Sequence, residues 1–119
     1  MVFKLDQQSS EFEEIDGSAT PDREPTEAER LTRKHVFVAG KVQGVGFRWS
    51  ACSRASELGL TGWVRNLADR RVELCFQGEQ GAVAEMEDLC RAGPLRSRII
   101  DISVSEEAPV EGETGFKIR

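Results

Sequence analysis

The stretch KHVFVAGKVQGVGFRWSACSRASELGLTGWVRNL, residues 34–67, changes its hydrophobic pattern twice. KHVFVAG (34–40) is an apolar run entered from polar residues and ended by glycine, the pattern of a strand. In residues 47–58, Phe47, Ala51, Cys52, Ala55 and Leu58 fall on one face of a helix, and Gly59 stands at the C-cap position. LTGWVRNL (60–67) reads as a strand again. Between the first strand and the helix lies GKVQGVGFR (40–48), with three glycines in its first seven residues.

The pattern continues outward. RVELCFQG (71–78) is a third strand, with Val72, Leu74 and Phe76 pointing one way and Glu73, Cys75 and Gln77 the other. The short link Ala68-Asp69-Arg70 makes it a hairpin with its predecessor. Residues 80–92 carry Ala82, Val83, Met86, Leu89 and Cys90 at helical spacing, and Gly93-Pro94 stops them. SRIIDISVSEE (97–107) is a fourth strand, with Ile100, Ile102 and Val104 alternating, and GFKIR (115–119) a short last one. Two helices can cover only one face of such a sheet. The fold class expected is therefore α+β, a two-layer βαββαβ sandwich with a short extra C-terminal strand.

The 119 residues suit one domain, expected over 33–119, preceded by an acidic extension over 1–32. The extension carries three basic and nine acidic side chains, a net of −6; the remainder carries thirteen and twelve, a net of +1. The acidity of the chain thus belongs to its leader and says nothing about partners of the domain. Isolated apolar residues among Glu, Ser, Asp, Pro and Thr predict disorder there. A short helix in PTEAERL (25–31) is the exception, with Thr26 as cap and Glu29 three residues on. No apolar run approaches the roughly 18 residues of a membrane span, and the N-terminus lacks a signal-peptide core, so a cytoplasmic protein without membrane contact is expected. Cys52, Cys75 and Cys90 are odd in number and lack a CxxC pair; they read as small buried side chains, not disulfide or metal ligands.

A glycine-rich turn from strand to helix can form an anion cradle. Gly44 and Gly46 can adopt positive φ, successive N–H groups then converge, and the helix N-terminus adds partial positive charge. The turn matches neither Walker A nor GxGxxG, so the glycines alone are weak evidence. Arg48 adds to it. A cation in the first turn of a helix opposes the macrodipole, a cost that an anion between the N–H groups and the guanidinium removes. The guanidinium fork also matches two phosphate oxygens.

GKVQGVGFR followed by GWVRNL (62–67) strongly resembles the acylphosphatase family, and the likeness extends over roughly 35–119, through ELGLTGWVRN, VELCFQGE, Gly93-Pro94 and the FKIR end. The resemblance implies a ferredoxin-like βαββαβ sandwich. It implies that the backbone of Gln43, Gly44, Val45, Gly46 and Phe47, with Arg48, binds the phosphate of an acyl phosphate. Asn66 would orient the attacking water, and the products would be a carboxylate and inorganic phosphate. No cofactor and no metal are implied, since a carboxylate leaves without a general acid and the loose phosphoryl transition state asks mainly for positioning and charge. One departure stands out: Asp69-Arg70 occupies a turn that is commonly Asp-Gly in the family, which suggests a left-handed Arg70.

Other readings are weaker. Ferredoxin-like sheets can bind RNA through aromatics on the open face, but the domain is near neutral, lacks Tyr and has no basic stripe with interleaved aromatics along the chain, so no nucleic acid partner is expected. Trp49 and Trp63 flank the site in sequence and are expected to pack or be part-exposed. Arg65 is expected on the opposite sheet face from Asn66, and His35 to have no catalytic part. A free-standing monomeric enzyme is the expected form.

Overall fold

The computed structural model describes Glu24 and residues 26–119. The extension expected to be disordered lies, for residues 1–23 and 25, outside the described residues. A one-turn helix α1 (Glu27–Arg30) leads into the domain. Its capping box is formed: Glu29 N–H donates to Thr26 Oγ1 (3.2 Å) and Thr26 N–H to Glu29 Oε1 (2.8 Å). Strand β1 (Leu31–Lys41) begins three residues before the sequence pattern marks it. Its first residues, Leu31, Thr32 and Arg33, lie before the apolar run, and their pairing with β3 extends it: Leu31 lies opposite Glu79 and Thr32 opposite Gly78.

Helix α2 (Phe47–Glu57), strands β2 (Thr61–Asn66) and β3 (Val72–Glu79), helix α3 (Gln80–Ala92), strand β4 (Arg98–Glu107) and strand β5 (Phe116–Ile118) follow in the expected order. The sheet order is β4-β1-β3-β2-β5, antiparallel except for the β2–β5 pair, which is parallel. Period-2 alternation splits the sheet into two faces, except in β4: a register shift against β1 at Ala39/Gly40 turns Ile99 to the core, and Ile100, expected to alternate with Ile102 and Val104, is 77% exposed. Val36, Val38, Val64, Val72, Leu74 and Phe76, all fully buried, meet Ala51 and Ala55 of α2 and Val83, Met86 and Cys90 of α3. No described helix is long and apolar enough to cross a membrane.

The opposite face carries no helix, yet Glu73, Cys75 and Gln77 in its middle are also buried. They are covered by their neighbours in the rungs of the sheet. Arg33 donates to Gln77 (3.1 Å) and to Glu113 (2.8 Å). Glu73 lies between His35 Nε2 (2.6 Å) and Arg65 Nε (2.7 Å). Burial pushes the Glu73 carboxyl up, and the His35 and Arg65 bonds outweigh it, holding it below the usual carboxylate range. Burial pushes the Cys75 thiol up to about 11 and the Cys90 thiol up to about 12, so these two stay protonated.

The β2–β3 turn is closed by Leu67 N–H to Arg71 O (2.8 Å) and Arg70 N–H to Leu67 O (3.1 Å), with Asp69 Oδ1 accepting from Arg71 N–H (3.1 Å). Arg70 has φ 78°, the sole positive φ among described non-glycine residues, as the Asp-Arg departure suggested. The left-handed conformation costs a side-chain-bearing residue about 1–2 kcal/mol. Arg70 is exposed, so Arg70→Gly removes strain and little else. After allowing for the looser unfolded chain, it is expected to stabilise the domain by about 0.5–1 kcal/mol. Urea denaturation reads this directly, and a lower midpoint for the variant would contradict it.

Candidate active site

The turn between β1 and α2 is built on backbone that only glycine adopts readily. Gly44 and Gly46 have φ 74° and 79°. A Cβ at either would meet nothing within 4 Å, so conformation and not crowding selects glycine there. Gly46 is the N-cap of α2 and has no side chain with which to cap it. The first N–H groups of the helix are therefore left without intrahelical acceptors, apart from what the turn itself supplies. Phe47, 2% exposed, locks the first turn of α2 into the core. That anchoring fixes where the next residue, Arg48, leaves the helix.

A cavity of about 210 Å³ opens at this point, lined by Val42, Gly44, Gly46, Phe47, Arg48, Trp49, Asn66 and Ile118. Four segments meet in it: the end of β1, the start of α2, the end of β2 and β5. Of the residues singled out from sequence, Gly44, Gly46, Phe47, Arg48 and Asn66 line it together. Arg48 is exposed and makes no ion pair or hydrogen bond among the described residues, in contrast to Arg33, Arg54, Arg65, Arg71 and Arg91. Asn66 ends β2 on the helix-side face, in alternation with Val64, and Arg65 points to the other face as expected. Asn66 Oδ1 is buried and has no hydrogen-bond partner among the described residues. Leaving such an acceptor unmatched costs about 1–3 kcal/mol, which a ligand or water placed to donate to it would recover.

Gln43 and Val45 do not line the cavity. Val45 packs against the core. The Gln43 side-chain amide donates to Leu67 O (2.9 Å) and Arg71 O (3.0 Å). It therefore ties the glycine turn to the backbone just beyond Asn66, so the two halves of the site share one brace. The sequence carried no signal of this bridge, because its acceptors are main-chain carbonyls. Trp49 and Ile118 were also missed as members of the site. Ile118 reaches it because β5 runs parallel beside β2, with Ile118 opposite Val64.

A guanidinium unpaired among the described residues, a helix start with free donors and the Asn66 amide, all lining one cavity, can hold a tetrahedral anion and a water beside it. Comparison with known proteins shows the family. A family model described as Acylphosphatase matches residues 34–118. An acylphosphatase of Trichormus variabilis is 52% identical over 94 residues, covering 79% of this chain and 92% of the relative. The crystal structure of acylphosphatase from Bacillus subtilis superposes with TM-score 0.70 at 37% identity, covering 75% of this chain and 98% of that one. An acylphosphatase structure from Coxiella burnetii gives TM-score 0.71 at 39% identity, covering 76% and 94%. The match spans well over half of the chain and includes both the glycine turn and the strand that ends in Asn66, so the chain belongs to the acylphosphatase family, enzymes that hydrolyse acyl phosphates.

Proposed function

We propose that this chain cleaves the carboxyl–phosphate bond of an acyl phosphate with the phosphoryl group seated in the 43–48 turn. The N–H groups at the start of α2 and the Arg48 guanidinium take the phosphoryl oxygens. Asn66 Oδ1 accepts a hydrogen from the attacking water and aims its oxygen at phosphorus. The new bond is water oxygen to phosphorus; the bond that breaks is phosphorus to the acyl oxygen. The electron pair leaves on the carboxylate, and the water proton ends on a phosphate oxygen, which gives inorganic phosphate.

The observation that carries this reading is that Asn66, whose buried Oδ1 has no hydrogen-bond partner among the described residues, lines the same cavity as Arg48, which is unpaired among them. An acceptor is what orienting water requires, and a cation is what the phosphoryl charge requires. No base is needed, because the leaving carboxylate is a weak base and the transition state is loose. The reading is tested by phosphate release from acetyl phosphate, with added inorganic phosphate as competitor. Catalysed release that falls as phosphate is added is expected; release no faster than in buffer would refute it.

A further inference from the structure

The cavity that holds Arg48 and Asn66 also has an apolar side, formed by Trp49 and Ile118. Both are conspicuous in water: Trp49 is 72% exposed and Ile118 46% exposed. Among the described residues only Leu95, Ile100 and Val110 are comparable exposed large apolar side chains, and none of these lines the cavity. Trp49 and Ile118 come from α2 and β5, elements distant in sequence, yet both flank the anion cradle. An indole left largely in solvent contributes little to the core, so its apolar surface is available to whatever enters the site.

Size gives a second argument. About 210 Å³ is room for about seven waters at roughly 30 Å³ each. A phosphoryl group and an attacking water bring four oxygens, so part of the acyl group shares the cavity. Arg48 is the one charged side chain on its wall, and that charge is taken up by the phosphoryl group.

We propose that Trp49 and Ile118 form the acyl side of the site and select acyl phosphates with an aromatic or extended apolar acyl group. This rests on the phosphoryl-binding reading of the same cavity. A benzoyl ring can stack on the indole face and touch the Ile118 side chain; an acetyl methyl reaches little of either. A ring face covered in this way is expected to favour benzoyl phosphate by about fivefold to tenfold.

The test measures kcat/KM for benzoyl phosphate and acetyl phosphate with wild type, Trp49→Ala, Trp49→Phe and Ile118→Ala. Intrinsic reactivities cancel when each variant's benzoyl-to-acetyl ratio is divided by that of wild type. Trp49→Ala is expected to lower the ratio about fivefold to tenfold, Ile118→Ala about twofold to threefold, and Trp49→Phe by less than Trp49→Ala. Circular dichroism confirms folding, which the exposure of Trp49 favours. An unchanged ratio in Trp49→Ala, or an equal loss on both substrates, overturns the acyl-side assignment while leaving the hydrolase reading intact. Wild type that accelerates neither substrate overturns the hydrolase reading and this assignment with it.

Discussion

Arg48→Ala is expected to lower kcat/KM for acyl phosphates by about 10³–10⁴-fold. One preorganised donor is typically worth about 10²–10³ in rate, and an arginine supplied to a phosphoryl transition state about 10³–10⁵. Arg48 offers two donors and a full charge, and it shares no acid among the described residues that could divert it. Its position in the first turn of α2 is electrostatically poor without an anion, since the helix start is already positive. The alanine variant should therefore be at least as stable as wild type while losing activity. Arg48→Lys separates charge from geometry: it retains the charge without the fork and should recover only part of the loss. Steady-state assay with both variants checks this. Wild-type-like activity in Arg48→Ala would remove Arg48 from the mechanism, and an equal fall in activity and melting temperature would make its role structural.

Asn66→Ala is expected to lower kcat by about 10²–10³-fold with a small change in KM, because the amide acts on the water and not on the phosphoryl group. Its folded state should not suffer, since the substitution deletes a buried acceptor that has no partner among the described residues. Loss of rate with unchanged or raised thermal stability is the signature of a group whose hydrogen bond is reserved for the reaction. Asn66→Asp is the sharper control. It preserves shape and an acceptor but brings a negative charge beside the phosphoryl site, so binding should weaken as well. Inhibition by inorganic phosphate measures that part independently of rate. An Asn66→Ala enzyme with wild-type kcat would refute the water-orienting role.

Much of this site was legible in the residues, for local reasons. Gly44 and Gly46 stand where φ is positive, and that requirement is visible in a turn squeezed between a strand pattern and a helix pattern. Arg48 could be singled out because helix starts disfavour cations. Asn66 is different. Nothing in its own neighbourhood marks it, and it came from the family resemblance, with the strand alternation supplying its face. Trp49 read as an ordinary packing or part-exposed side chain because helix periodicity does not say which exposed position borders a cavity.

The open sheet face makes the same point. Along the chain, aromatics and arginines show no stripe. In the sheet, Trp63 lies between Arg65 (5.5 Å) and Arg119 (4.3 Å), and Phe37 beneath Arg71 (4.8 Å), with His35 between the two aromatic rings. These contacts cross three strands and the C-terminus. The cations are interleaved with Glu73, Glu107 and Asp69, so the face remains close to balanced.

By itself the sequence determined the order of elements, the glycine turn and most of the inward faces, because backbone conformation and hydrophobic period are local properties; in β4 it put Ile100 where the structure turns Ile99 inward. Only the tertiary structure decided what stands opposite the cradle. Strand order and register bring Asn66, 18 residues beyond Arg48, and Ile118, 70 residues beyond it, to one cavity. A period of two says which way a side chain faces; it does not say which strand lies alongside, and that is settled by the cooperative packing of the whole sheet on two helices.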